Sequence, residues 1–382
     1  MTERPYTLYY LDLSYYSGKL QAYLRYKRIP VREVYVSWWQ LADRVLPQTG
    51  LMEVPVIERP DGTWMRDTTS IIEWFEPRHP DPPVLPDDPV QAFFVRLLED
   101  YADEWMWPSA MHYRWHYAPD RWMNARRFTE EFLFLRPRWL MRLQIAARQY
   151  ATYVPGEGTT GATRRHVEEI YARELRHLQA IFATRPFLLG DRPCLADFGY
   201  FASMFRHFGL DPTPRRIMLE RAPAVYEWVA RMWNARALER ATPRWAAGPG
   251  TLPEDWLPLL RTIGATYLPY LAENARAVAA GAKRFDLEIE GVRYGAMPVS
   301  PFRAYCRERL QTFYQTLEPG ARRTVASLLE AAGCLEPLQR YGHIEVSDPF
   351  LWMLPECDPL PVGRVHKLLY YVMGTPRHRR AR

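Results

Sequence analysis

Residues Met52 to Ile72 constrain this chain more than any other stretch. Met52-Glu53-Val54-Pro55-Val56-Ile57-Glu58 reads as a short apolar strand with a proline inside it. Pro60-Asp61-Gly62 makes a turn, and Trp64-Met65 opens a second short strand that runs into a helix. Proline cannot donate to a sheet ladder, so Pro55 belongs at an edge or a bend. A cis bond ahead of it would turn the backbone at Val54 outward. Asp67 and Thr68 fall at the start of the helix, where caps and bound anions both belong.

Upstream, Thr7 to Leu11 is an apolar run fit for a buried strand. The loop Ser14-Tyr15-Tyr16-Ser17 follows, then Leu20, Tyr23 and Leu24 at helical spacing, then a second strand over Val31 to Val36. Strand, helix and strand within ~30 residues form a crossover unit. Pro77, Pro80, Pro82, Pro83, Pro86 and Pro89 then make a stiff linker. Beyond it, Val90, Phe94, Leu97, Tyr101 and Trp105 form one helical stripe, and Val167, Ile170, Tyr171, Leu175, Leu178 and Phe182 another. Ala246-Ala247-Gly248-Pro249-Gly250 marks a further boundary. After it, Phe285, Leu287 and Ile289 alternate up to a Glu290-Gly291 turn, and helical spacing resumes from Phe302, with Pro319-Gly320 as a break.

The layout around Val54-Pro55 and Asp67-Thr68 resembles the glutathione-binding half of the soluble glutathione transferases. Pro186 to Asp197 is similar to that family's second hallmark, a hydroxyl residue three before an aspartate that caps a buried helix. Here Cys194 stands at the hydroxyl position, and a thiol is a poor acceptor, so the cap should be weaker by ~1 kcal/mol. The resemblance covers roughly the first 245 residues. It implies an α/β thioredoxin-like domain over 1–83 and an all-helical transferase domain over 88–248. Residues 249–382 are left as a mostly helical C-terminal extension with a β-hairpin and no assigned role.

The resemblance also implies the chemistry. Glutathione transfer needs a thiolate from a thiol whose ordinary pKa is about 8.5. A hydroxyl donor and a helix N-terminus aimed at the sulfur both favour the charged form. Ser14 is the first candidate for that hydroxyl and Tyr15 the second, with Tyr10 matching the tyrosine-type classes. Ser17 as a plain helix cap is the competing structural reading. Val54 would pair its backbone with the cysteinyl residue of the tripeptide by strand addition. Asp67 would take the γ-glutamyl ammonium and Thr68 the α-carboxylate. Glu53, just before the Val-Pro pair, would repel the glycyl carboxylate by ~1 kcal/mol unless Arg44 or Lys19 offsets it. Trp107, Met111 and Trp115 share a helix face and would line the pocket for a small hydrophobic electrophile, though core packing serves them equally well. His112 and His116 have metal spacing but no third ligand, so no metal is expected.

Composition narrows the rest. The 382 residues carry 50 basic and 44 acidic side chains, a net charge of +6 spread along the chain, so there is no nucleic-acid footprint. The one basic run, Arg377-His378-Arg379-Arg380, reads as a solvated end. No apolar run suits a membrane span or a signal peptide. The four separated cysteines fit a reduced, cytoplasmic protein, and none precedes Cys194, which excludes thiol chemistry at the first helix. A homodimer is implied by the resemblance alone. The alternative function is a non-catalytic binding or scaffold protein that keeps the fold.

Overall fold

The computed structural model describes residues 5–131, 137–236, 244–348, 351, 353–357 and 359; the basic run at 377–380 lies outside them. The chain opens with β1 (Tyr6–Tyr10), α1 (Tyr15–Tyr26) and β2 (Val31–Tyr35). Short helical turns α2 (Trp38–Gln40) and α3 (Leu46–Thr49) flank a π-helical turn. Then come β3 (Val56–Glu58), β4 (Trp64–Met65) and α4 (Thr68–Phe75). The sheet order is β2-β1-β3-β4, with β1 parallel to β2 and the other pairs antiparallel. This is the thioredoxin-like α/β fold. Pro55 immediately precedes β3 after a cis bond, where its missing N–H costs the ladder nothing.

A helical layer follows: α5 (Pro89–Glu104), α6 (Met106–His116), α7 (Ala118–Glu131), α8 (Arg138–Gly156), α9 (Arg164–Phe182), α10 (Leu195–Ser203), α11 (Pro212–Arg221) and α12 (Pro223–Asn234). Asp88 caps α5 by accepting from the Gln91 N–H at 2.9 Å, with Pro89 at the first helical position. Both sequence stripes lie in one core with α1 and β1. Gly199 lets α10 press onto α5: a Cβ there would sit 3.0 Å from the Glu99 carbonyl oxygen. At the start of α10, the Asp197 carboxylate accepts from the N–H groups of Cys194 and Leu188 and from the Trp228 indole. The Cys194 thiol completes the capping box towards the Asp197 N–H and also donates to the Asp197 carboxylate at 3.2 Å, so the cap is kept without a hydroxyl.

The extension contains α13 (Leu257–Ala265), α14 (Tyr267–Ala279), the hairpin β5 (Arg284–Ile289) and β6 (Val292–Pro298), then α15 (Pro301–Thr316), α16 (Pro319–Ala331) and α17 (Leu335–Gln339). Glu290 and Gly291 both take positive φ, as a two-residue hairpin turn requires. Pro319, expected as a break, instead occupies the first position of α16, where a missing N–H is harmless.

The extension docks through polar contacts at several points. Tyr267 donates to Asp100 at 2.6 Å; Arg173 grips Glu290 at 2.7 and 2.9 Å; Arg303 reaches Glu104 at 2.8 Å; Arg309 reaches Glu73 at 2.5 Å. Many of its apolar residues join the same core as the helical layer, while Ala275, Ala304, Tyr305, Val346 and Leu351 form a smaller cluster within the extension. The chain then returns to the sheet. Pro355 accepts from the Arg66 N–H at 2.9 Å and the Cys357 N–H donates to Trp64 at 3.0 Å, so residues 355–357 cover the outer edge of β4. An uncovered edge would be a template for pairing with another chain.

Candidate functional site

The loop between β1 and α1 is held from both sides. The Ser14 N–H donates to the Leu11 carbonyl at 3.0 Å, and Arg114 Nη1 on α6 donates to the Leu13 carbonyl at 3.0 Å. Arg206 pairs with Asp12 at 2.7 Å. Ser14 is half-buried and is the N-cap of α1: its Oγ accepts from the Ser17 N–H at 3.2 Å. The same hydroxyl donates to the Val54 carbonyl at 3.1 Å. The loop hydroxyl and the Val54-Pro55 corner therefore meet. No acidic side chain occupies the first turn of α1, so the positive end of its dipole is not neutralised within the helix.

One residue further, the helix has turned by about 100°. Tyr15 is 1% exposed and donates to the Ala102 carbonyl at 2.7 Å. Burial, then Asp103, pushes its phenol well above the usual range. Tyr10 packs edge-on against Tyr35, and burial raises its phenol too. Ser14 is thus the candidate hydroxyl that reaches the Val54 corner.

Asp67 caps α4, with its carboxylate accepting from the Ser70 N–H at 2.8 Å. Its φ of 69° is unusual for a non-glycine residue and is the kind of strain that clusters at ligand clamps. Thr68 is 5% exposed, while Thr69 accepts from Lys19 at 2.9 Å and donates to Glu99 at 2.5 Å. Lys19 is fully buried against Glu99 and Asp103. Burial alone would push its ammonium down, but Asp103 and Glu99 push it up on balance. Lys19 is committed there and cannot offset Glu53, which is exposed beside Val54. Arg44 is exposed and donates to the Tyr9 hydroxyl at 3.1 Å.

The extension walls the Asp67 end. Arg66, nine-tenths buried, is bound through its N–H to Pro355, and Cys357 and Asp348 lie in its electrostatic reach along with Asp67 and Glu53. Tyr305 and Arg309 on α15 also feel the Asp67 carboxylate.

Trp107 is half-buried, donates to Glu157 at 3.1 Å and stacks on Tyr16 at 5.9 Å. Met111 and Trp115 are 3% and 2% exposed, in a small cluster with Val154 that Trp107 and Phe128 flank. Phe128 also packs against the cluster that Val54 borders, so it bridges the α6 face to the proline corner. His112 pairs with Glu168 at 2.9 Å and stacks on His116. Among the described residues no group of three or more His, Cys, Asp or Glu side chains is arranged to hold a metal. Among them also, no helix is long and apolar enough to cross a membrane.

Sequence reasoning missed three contributors: Phe128, Arg114 and the segment 355–357, which bridges to β4. Phe128 carries the weak signal of an aromatic residue on a mostly polar helix. The other two act over long sequence separations and leave no local pattern.

A model of the glutathione S-transferase N-terminal domain matches residues 8–83, and one of the glutathione S-transferase C-terminal domain matches residues 144–235. Among solved structures, a glutathione S-transferase from Methylobacterium radiotolerans, in complex with glutathione sulfonate, is 20% identical over 63% of this chain and 99% of that one, with a TM-score of 0.38. One from Rhodospirillum rubrum F11 is 21% identical over 63% and 96%, with a TM-score of 0.40. A β-etherase from a Sphingobium strain is 18% identical over 60% and 95%, with a TM-score of 0.42. No curated protein matches the chain. Residues 8–83 and 144–235 thus match the N-terminal and C-terminal domains of glutathione S-transferases, and the chain carries a further extension beyond residue 235.

Proposed function

We propose that this protein is a glutathione transferase, conjugating glutathione to a small apolar electrophile through a thiolate stabilised by Ser14. The observation that carries the reading is the 3.1 Å hydrogen bond from Ser14 Oγ to the Val54 carbonyl. A donor and an acceptor satisfy each other there. A cysteinyl ligand would separate them and satisfy both: its N–H would take the Val54 carbonyl, and its sulfur would take the Ser14 hydroxyl. A hydrogen bond to a charged group is worth ~1.5–3 kcal/mol, enough to hold the thiol ionised well below its ordinary pKa. Asp67 then takes the γ-glutamyl ammonium, and the tip of α4 at Thr68 takes the neighbouring carboxylate. The electrophile approaches from the side of Trp107 and Phe128. Domain limits at 83 and 248, a cytoplasmic location and a homodimer go with this reading.

A second reading, a scaffold that keeps the fold without turnover, is favoured by the extension. It lies against the Asp67 end, where Thr68 is almost fully covered, and Glu53 adds a carboxylate near the glycyl end. Retention on immobilised glutathione, followed by conjugation assays with wild type and Ser14→Ala, separates the two. Retention with turnover that collapses in Ser14→Ala supports the enzyme. Retention without turnover supports the scaffold, and absence of retention removes glutathione as the ligand.

A further inference from the structure

We propose that Arg114 is a positioning residue for the Ser14 hydroxyl, acting across the boundary between the helical layer and the sheet domain. This rests on the glutathione reading above and assigns that site a residue outside its contact shell. Arg114 is 2% exposed, and all five of its N–H donors are used. Nε and Nη2 hold Asp211 at 2.8 and 3.1 Å, and Nη2 also reaches the Arg206 carbonyl at 2.7 Å. Nη1 reaches His207 Nε2 at 2.6 Å and the Leu13 carbonyl at 3.0 Å. Asn124 on α7 donates to Asp211 at 3.0 Å and steadies the anchor. His207 accepts from a cation, so its ring is neutral; burial, then Arg114, pushes its pKa well below the ordinary value.

Only the Leu13 contact leaves the helical layer, and it falls on the peptide unit that carries Ser14. That unit is planar. Its carbonyl is held by Arg114 and its N–H by the Leu11 carbonyl at 3.0 Å, so the plane cannot rotate. A fixed plane places the N–Cα axis of Ser14; with φ at −83° at the N-cap of α1, the Cα–Cβ direction follows, and with it where the hydroxyl can point. The fork geometry of the guanidinium is essential: lysine keeps the charge but cannot hold Asp211 and Leu13 together.

The test is the pH profile of kcat/KM for conjugation with wild type, Arg114→Lys, Asp211→Asn, Ser14→Ala and the Ser14→Ala/Arg114→Lys double variant. In wild type the profile reports a thiol ionising below ~8.5. Arg114→Lys is expected to raise that apparent pKa and cut kcat ~10-fold at neutral pH, with KM for glutathione within ~2-fold of wild type. Asp211→Asn is expected to shift it in the same direction by less, and it covers the case in which Arg114→Lys does not fold. The double variant is expected to match Ser14→Ala alone, since Arg114 works only through that hydroxyl. A wild-type pH profile in both Arg114→Lys and Asp211→Asn, whatever their melting temperatures, would overturn the proposal. So would losses that add in full in the double variant. A wild-type protein that shows no ionising thiol would overturn the glutathione reading itself, and this inference with it.

Discussion

The two ends of the candidate cradle are built in opposite ways. At the Ser14 end, the loop hydroxyl and the Val54 carbonyl satisfy each other at 3.1 Å, and both residues stay half-exposed. Such a pair is ready to open around a ligand, because each partner has an equivalent one to gain. At the Asp67 end, the wall is the chain's own extension. Residues 355–357 lie along β4, and Tyr305 and Arg309 stand within electrostatic reach of Asp67. On the proposed glutathione reading, affinity and chemistry would then be under separate control: chemistry would belong to a short loop gripped by Arg114 and Arg206, and access to the amino-acid end to residues far along the chain.

Breaking one end should leave the other legible. The largest effect is expected from Ser14→Ala, which loses the donor to the thiolate: conjugation falls ~10–100-fold while retention on immobilised glutathione survives. A loss of retention of the same size would mean that Ser14 holds the ligand instead of activating it. Asp67→Asn keeps the Ser70 cap and tolerates positive φ, but removes the charge offered to the ammonium. Glutathione affinity is expected to fall ~10-fold with the melting temperature within ~3 °C of wild type, as titration calorimetry and thermal unfolding would read. Unchanged affinity would separate Asp67 from the ligand.

Removing residues 353–382 tests the wall. Two backbone hydrogen bonds on β4 are lost and the Asp67 end opens, so glutathione is expected to bind ~3–10-fold more tightly. Weaker binding would show that the extension is part of the cradle instead of a cover over it. Glu53→Gln should strengthen binding by ~2–5-fold at low salt and by less at high salt, because an exposed charge is screened. Equal affinity at both salt concentrations would remove Glu53 from the site.

The smallest effect concerns stability away from both ends. Glu174 is buried, accepts from Tyr101 and Tyr200, and has its carboxyl pushed up to about 7, chiefly by burial. A carboxyl raised in the folded state contributes stability that is complete below its unfolded pKa of ~4.3 and lost as pH rises through about 7. Wild type should therefore lose more stability than Glu174→Gln between about pH 5 and pH 8, by order of 1–3 kcal/mol in denaturant unfolding. Parallel curves would mean that Glu174 stays ionised.

Much of this was legible in the residues because it is local. The strand, proline, hairpin and helix of Val54 to Ile72, the turn at Glu290-Gly291 and the helical stripes follow from spacing and turn chemistry alone. What escaped depends on direction or distance. Ser14 and Tyr15 read alike in a loop, yet one residue of helical rotation sends the first to Val54 and the second into the core. Lys19 stood with Arg44 as a candidate to offset Glu53, but it is closed in by Glu99 and Asp103 on a helix that begins at Pro89. Met111 and Trp115 share a face as the spacing requires, and that face is packed rather than open. Arg114 meets Leu13 and Cys357 meets Trp64 only after the whole chain has folded, so no window of sequence holds both partners.

The most direct test of the central claim is the ultraviolet thiolate absorbance of glutathione bound to the wild-type protein, followed as a function of pH. The bound thiol is expected to ionise at least ~1 unit below the ~8.5 of a free cysteine thiol, and Ser14→Ala to return most of that shift. A bound thiol that titrates like the free one, or a lowered value that Ser14→Ala leaves untouched, would contradict that claim.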